Sequence, residues 1–154
     1  MAPERSSEAL FDRVRRLELI EEARGLLARY AELIDARAVD QLSSIFADDI
    51  VLTMPGRRFE GVAGVIDFYR DASINDPSER RHFVTNVRVA ASDETAVTLA
   101  SRFIYTAGTD GDSVLGWGRY LDTFATFGGE LRLAAKDIVV EHRGPVDATW
   151  GRPK

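Results

Sequence analysis

The feature of this sequence that most constrains its fold is a change of hydrophobic period at about residue 80. Before that point apolar residues recur at helical spacing, and after it they alternate with polar residues, as is typical of β-strands. The first part predicts two α-helices, a short helix and one strand, over Phe11–Arg37, Val62–Ser73, Gln41–Phe46 and Ile50–Met54 respectively.

The alternating part predicts four long antiparallel strands joined by hairpin-type connections, over His82–Ala90, Thr95–Thr106, Val114–Phe127 and Leu131–Arg143. Helices followed by such strands indicate an α+β domain. We expect a curved antiparallel sheet wrapped around N-terminal helices, a cone-shaped α+β barrel with a cavity for a small ligand. Residues 11–143 would form this single domain, between a disordered lead at 1–10 and a C-terminal tail at 144–154.

Composition and charge narrow the class of partner. The 154 residues carry a net charge of −5, which argues against nucleic acid and anionic membranes. Because cysteine is absent, thiol nucleophiles, disulfides and cysteine–zinc sites are excluded. We see no signal peptide and no apolar run long enough to span a membrane. A cytoplasmic, single-domain protein is therefore expected.

His82 is a candidate general base, because it is one of only two histidines and stands at the start of a predicted strand, in "RRHFVTN". Imidazole is the side chain that exchanges a proton most readily near neutral pH. Alternation along the strand predicts a core face made of Phe83, Thr85, Val87 and Val89. His82 and Asn86 would lie on the other face. Two interpretations remain open, a partly exposed strand-end residue or a base that faces the cavity.

Asp35 is the candidate partner of that base. It lies near the C-terminal end of the first helix, where a carboxylate is mildly unfavourable for the helix dipole. Its presence is explained either by plain solvent exposure or by an interaction with a base. Tyr30 lies about 140° around the helix from Asp35, so the two could flank a cavity mouth. Tyr30 is interpreted either as a core residue or as a catalytic one.

Other chemistries find little support in the sequence. "GVAGV" at Gly61–Val65 lacks the spacing of a dinucleotide-binding motif. A lysine-bearing phosphate-binding loop is also absent from the sequence, because the only lysines are at positions 136 and 154. The two histidines show no metal-ligand spacing. We therefore predict no metal and no cofactor, which leaves acid–base chemistry on a small molecule, or binding without chemistry.

Several segments resemble the SnoaL-like branch of the NTF2-like superfamily, which has a cystatin-like fold and includes scytalone dehydratase and bile-acid 7α-dehydratase. The resemblance covers about residues 15–143 and is carried by "RYAELIDARAVDQLSSIFADDIVLTMPG", "FEG", "RRHFVTNVRV" and "GRYLDTF". It implies a cone-shaped α+β barrel that binds a small apolar or aromatic molecule and assembles as a homodimer or homotrimer.

The resemblance also implies roles for single residues. Asp35 and His82 match the proton-transferring pair of the dehydratases, Tyr30 matches the tyrosine that polarises the substrate, and Arg143 matches an arginine of the bile-acid enzymes. Arg143 would pair with a substrate carboxylate or enolate. Further substrate contacts are predicted for Phe46, Met54, Asn86, Tyr105 and Trp117.

The expected function is thus a cofactor-independent lyase or isomerase acting on a cyclic or polyketide-like hydroxy-carbonyl compound. "HFVTNVRV" also resembles the structural β subunit of aromatic-ring-hydroxylating dioxygenases, and a non-catalytic binding protein of this fold is a third possibility. Scytalone dehydratase has a second active-site histidine where this chain offers only Phe103 or Tyr105, so a scytalone-type substrate is not implied. An outer sheet face is predicted to be covered in an oligomer, through Val97, Leu99, Leu121 and Leu133.

Overall fold

The computed structural model describes residues 2–108 and 113–146. Two α-helices, α1 (Ala2–Asp35) and α2 (Gly61–Asn75), are accompanied by a 3₁₀ helix at Val39–Ser44. The strands are β1 (Phe46–Met54), β2 (Arg57–Glu60), β3 (Glu79–Ser92), β4 (Ala96–Gly108), β5 (Ser113–Phe127) and β6 (Glu130–Val146). No helix among these residues is long and apolar enough to cross a membrane.

The six strands form one curved, unclosed sheet in the order β2-β1-β6-β5-β4-β3. The α+β class and the curved sheet packed on N-terminal helices are confirmed. The pairing of β1 with β6 is parallel, whereas the other pairings are antiparallel. Neither this parallel pairing nor the short strand β2 was predicted, because a local pattern does not specify the partner of a strand.

The ends of the domain differ from the prediction. Helix α1 begins at Ala2, with Pro3 in its first turn, where the missing N–H of proline costs nothing. The predicted disordered lead is therefore helical from Ala2 onward. At the other end β6 extends to Val146, beyond the predicted start of the tail. The rest of that tail, residues 147–154, lies outside the described residues.

The end of α1 is set by Arg37, which adopts a left-handed backbone conformation with φ 56°. The amide of Ala38 donates to the Leu33 carbonyl and that of Arg37 to the Ile34 carbonyl, as in a Schellman motif. This position usually holds glycine, so the sequence carries no obvious stop signal here. The motif ends the helix immediately after Asp35 and thereby places that carboxylate at the helix terminus.

A bulge in β3 overturns the predicted faces of this strand. Asn86 has φ 53°, and the pairing with β4 shifts between Thr85 and Arg88. Phe83 and Thr85, which were expected in the core, are exposed, while His82 faces inward. After the extra residue Val87 turns inward as predicted and packs against the core. One strict alternation cannot describe both halves of this strand, because the added residue shifts the side chains that follow it to the opposite face.

The core lies between the inner face of the sheet and the two helices. It contains Val97, Leu99 and Leu133, all essentially inaccessible to solvent. Their prediction as outer-face residues is wrong, and only Leu121 of that set is exposed. Both faces of these strands carry apolar residues, so alternation groups the side chains correctly without showing which group points inward.

A buried ion pair joins two central strands within this core. Lys136 Nζ lies 2.9 Å from an Asp122 carboxylate oxygen, and the two side chains are 1% and 0% exposed. The residues are direct partners in the β5–β6 register. Burial lowers the pKa of Lys136 and raises the pKa of Asp122, while the attraction between the two groups opposes both shifts.

Replacing Lys136 with methionine should therefore destabilise the protein strongly, because Asp122 would be left buried without a partner. We expect a loss of roughly 3–5 kcal/mol in the free energy of unfolding, measured by urea denaturation followed by circular dichroism. The double variant Lys136→Met/Asp122→Leu should recover most of this loss. Arg58→Met, which breaks the exposed pair with Glu60, is the control and should cost less than about 1 kcal/mol. A similarly small cost for Lys136→Met would contradict the prediction.

Candidate active site

A cavity of about 290 Å³ opens between the helices and the inner face of the sheet. Its walls come from the C-terminal end of α1, from α2, from the end of β1 and from strands β3 to β6. The lining includes Tyr30 and Asp35 of α1 together with His82 of β3, which is 47 residues beyond Asp35 in sequence. The predicted cavity is therefore present, and it collects the residues proposed for proton transfer.

Asp35 and His82 are in direct contact in the wall of this cavity. One carboxylate oxygen of Asp35 lies 2.6 Å from Nδ1 of His82, and the other accepts a hydrogen bond of 2.8 Å from the His82 backbone N–H. The side chains of His82 and Asp35 are only 13% and 16% exposed. The predicted meeting of these residues is confirmed. Since the carboxylate occupies Nδ1, the other ring nitrogen, Nε2, is the one left to exchange a proton.

The surroundings of His82 favour its neutral form. Burial lowers the pKa of the imidazole, and this effect outweighs the hydrogen bond and charge of Asp35, which raise it. Arg80 and Lys136 add a smaller lowering of the same pKa. At neutral pH the ring is therefore available as a proton acceptor.

A pair of tyrosine hydroxyls forms the second polar feature of the cavity wall. The hydroxyl oxygens of Tyr30 and Tyr69 are 2.7 Å apart in a hydrogen bond, and both residues are buried. Burial raises the pKa of both phenols well above the ordinary value. Both groups therefore stay protonated. One of the two phenolic protons forms the hydrogen bond between them, and the other remains available to a ligand oxygen.

The buried ion pair described above packs against the ring of Tyr30, one member of this tyrosine pair. Lys136 Nζ lies 4.0 Å from the ring centroid of Tyr30 and 3.6 Å from that of Tyr120. Such short distances indicate cation–π contacts. Tyr69, Tyr120 and Lys136 were all missed at the sequence level. Only the rarity of lysine within the chain marks Lys136 as unusual.

Two glycines in β5 lie behind the cavity wall and give room for two aromatic rings that line it. A Cβ placed on Gly116 would lie 2.3 Å from the Tyr105 ring, and one on Gly118 would lie 2.7 Å from the Phe103 ring. The rings of Tyr105 and Phe103 therefore lie directly over backbone. Tyr105 also stacks against His82, with ring centroids 5.7 Å apart.

The structure brings together some of the predicted substrate contacts and separates others. Met54, Tyr105 and Arg143 line the same cavity as Asp35 and His82. Three predicted contacts do not line it, namely Phe46, Asn86 and Trp117.

Each of these three residues has a physical reason to lie elsewhere. Phe46 is buried in the core and packs against Tyr69. Asn86 is exposed because it occupies the β3 bulge. Trp117 is on the outer face of β5, stacked on His142 at 4.2 Å between ring centroids, since its neighbours Gly116 and Gly118 face inward. His142 and Arg143 lie on opposite faces of β6, as predicted.

Comparison with known proteins places this chain in a family. The SnoaL-like domain model matches residues 15–137. The chain belongs to the SnoaL-like domain family. A search of curated proteins found no match. The SnoaL-like fold is shared with the crystal structure of LinA, which has 19% sequence identity and a TM-score of 0.82 over 93% of this chain and 99% of that one.

Two further structures show the same likeness. A hexachlorocyclohexane dehydrochlorinase, LinA-type3 from Novosphingobium barchaimii, has 18% identity and a TM-score of 0.77 over 94% of this chain and 99% of its own. A putative scytalone dehydratase from Novosphingobium aromaticivorans has 14% identity and a TM-score of 0.74 over 91% and 98%. At these identities the likeness shows that the fold is shared.

The electrostatics of the pair predict how His82 titrates. Its pKa should lie below the ordinary histidine value of about 6.5, and Asp35→Asn should lower it further by removing the carboxylate that raises it. The imidazole proton signals can be followed by NMR against pH, with the His142→Gln variant used to assign them. A pKa of His82 above the ordinary value, or one that rises in Asp35→Asn, would contradict this prediction.

Proposed function

We propose that this SnoaL-like protein is a cofactor-independent lyase or isomerase that moves a proton to or from carbon in a small cyclic hydroxy-carbonyl compound of the polyketide type. The observation that carries the proposal is the contact between Asp35 and His82 inside a largely apolar cavity. A structural subunit or simple carrier has no need to bury a carboxylate against its only inward-facing histidine. A cytoplasmic location remains a prediction from composition.

In the proposed reaction Nε2 of His82 takes a proton from a carbon next to the substrate carbonyl. Asp35 holds the ring in the required tautomer and stabilises the imidazolium. The electron pair moves onto the carbonyl oxygen, where a hydroxyl of the Tyr30–Tyr69 pair donates a hydrogen bond to the developing oxyanion. In elimination the imidazolium then protonates the departing hydroxyl, which leaves as water. In isomerisation it returns the proton to another carbon.

The apolar part of the cavity suits this chemistry. Met54 and Tyr105 would contact the substrate ring and, with Phe68 on α2, keep water away from the reacting carbon. In a site of low dielectric constant the hydrogen bond from a tyrosine to an oxyanion is stronger than in water. We propose Tyr30, Asp35 and His82 as the catalytic residues on this basis.

The proposal is tested by incubating a panel of cyclic hydroxy-ketones with the protein in D₂O and following deuterium uptake or loss of water by mass spectrometry. Replacing His82 with glutamine should lower the rate by about 10²–10⁴-fold, because the proton acceptor is lost. The native rate should fall as pH decreases through the pKa of His82, which is lowered below its ordinary value. His142→Gln, on the outer face, is the matched control and should leave the rate unchanged. Equal rates in both variants would overturn the proposed role of His82.

We also propose that the protein assembles as a homodimer or homotrimer through the outer face of the sheet. Phe83, Ile104 and Trp117 occupy one row across β3, β4 and β5, and they are 57%, 42% and 40% exposed. Such a row of large apolar side chains is typical of a surface that is covered in an assembly.

Light scattering at micromolar concentration should accordingly give the mass of a dimer or trimer. Ile104→Asp should shift that mass toward the monomer, because a carboxylate at the centre of the row would be desolvated. Phe127→Asp, at an exposed apolar residue near the end of β5, is the control and should leave the assembly intact. A monomeric native protein would contradict this assembly.

A further inference from the structure

The charged groups that line the cavity do not neutralise one another. The lining contains three arginines, Arg37, Arg80 and Arg143, but only two aspartates, Asp35 and Asp76. With His82 neutral, the wall therefore carries excess positive charge, although the whole chain carries a net charge of −5. This excess positive charge is confined to the cavity and indicates that the ligand is negatively charged.

Two of these arginines are occupied by structural contacts. Arg80 forms an ion pair with Asp76. Hydrogen bonds from Ser78 and Arg80 lower the pKa of Asp76 to about 2, so this carboxylate remains ionised as the counterion of Arg80. Arg37 donates to the backbone carbonyls of Ser73, Asp76 and Ser78 at 2.9, 2.8 and 2.7 Å. These contacts hold the segment between α2 and β3 against the end of α1.

Arg143 is the arginine that remains available. The residue lines the cavity, and its guanidinium has no hydrogen-bond or ion-pair partner among residues 2–108 and 113–146. A guanidinium presents N–H donors in a planar fork that matches the two oxygens of a carboxylate. Arg143 is exposed to solvent, so it would bind a ligand group at the mouth of the cavity.

The sheet register shows how Arg143 is placed relative to the proposed base. His82, Tyr105, Gly116 and Arg143 are consecutive partners in one row across β3, β4, β5 and β6. At the usual strand spacing the first and last Cα atoms of this row are about 14 Å apart along the sheet. The Tyr105 ring fills the space above Gly116 between them. An elongated ligand can therefore lie along the Tyr105 ring, with one end at His82 and the other at Arg143.

We propose that the substrate is a cyclic acid whose carboxylate binds Arg143, whose ring lies against Tyr105, and whose reacting carbon faces His82. This inference rests on the proposed function for the role of His82, but the carboxylate site follows from Arg143 itself. Of the two partners considered for Arg143, a substrate carboxylate and an enolate, we assign the carboxylate. The guanidinium binds a permanent carboxylate at one end of the ligand, while the Tyr30–Tyr69 pair serves the oxyanion formed beside His82.

The proposal is tested by isothermal titration calorimetry with two matched pairs of probes, 2-naphthoate with 2-naphthamide and biphenyl-4-carboxylate with its amide. Each pair has the same rings and differs in charge. The native protein should bind the carboxylates about tenfold more tightly than the amides, because the charged partner strengthens the hydrogen bonds to Arg143. Added salt should weaken the binding of the carboxylates and leave that of the amides unchanged, since Arg143 is exposed to solvent.

Variants then assign the preference to one side chain. Arg143→Gln should abolish the difference within each pair, and Arg143→Lys should keep part of it, because the charge remains without the planar fork. Arg88→Gln, an exposed arginine on β3 outside the cavity lining, is the matched control and should retain the full preference.

The outcome is independent of catalysis. His82→Gln should retain the preference for the carboxylates even though it loses activity, so a failure of the proposed chemistry and a failure of the carboxylate site are distinguishable. Equal affinity for carboxylate and amide in the native protein, an unchanged preference in Arg143→Gln, or no binding of either carboxylate would overturn the proposal.

Discussion

The two-point contact between Asp35 and His82 is the interaction on which the arrangement of this molecule depends. One carboxylate accepts a hydrogen bond from the His82 backbone and also meets its ring. It therefore joins the last residue of α1 to β3 and orients the imidazole at the same time. The helix can end there because Arg37 adopts a left-handed conformation, which costs roughly 1–2 kcal/mol for a residue other than glycine. Three hydrogen bonds from the Arg37 side chain offset that cost.

The polar groups behind the cavity serve a related purpose. Lys136 and Asp122 would be costly to bury singly, and they occur as a pair whose cation contacts the rings of Tyr30 and Tyr120. These contacts restrict the position of the Tyr30 ring before any ligand arrives. Gly116 contributes by having no side chain, so that the Tyr105 ring has a place beside His82. The wall is therefore preorganised both by close packing and by electrostatics.

The sequence predicted much of the fold and part of the candidate site. The change from helical to alternating period was sufficient for the α+β class and for the positions of the long strands. The pairing of Asp35 with His82 was predicted from a carboxylate that is unfavourable at a helix C-terminus, from the small number of histidines and from a family resemblance. Alternation could not account for Phe83, because the bulge at Asn86 has no clear signature in composition. The prediction of Trp117 as a substrate contact also failed, since the direction of a face depends on which side the helices cover.

What the sequence determined by itself is the set of elements and the residue types available for chemistry. Both depend on local preferences and on hydrophobic period, which act over a few residues. Only the tertiary structure decided which side of each strand faces the cavity, that Lys136 meets Asp122, and that Arg143 shares a row with His82. These relations depend on strand register and on one-residue bulges, and their energies come from contacts between residues far apart in the chain.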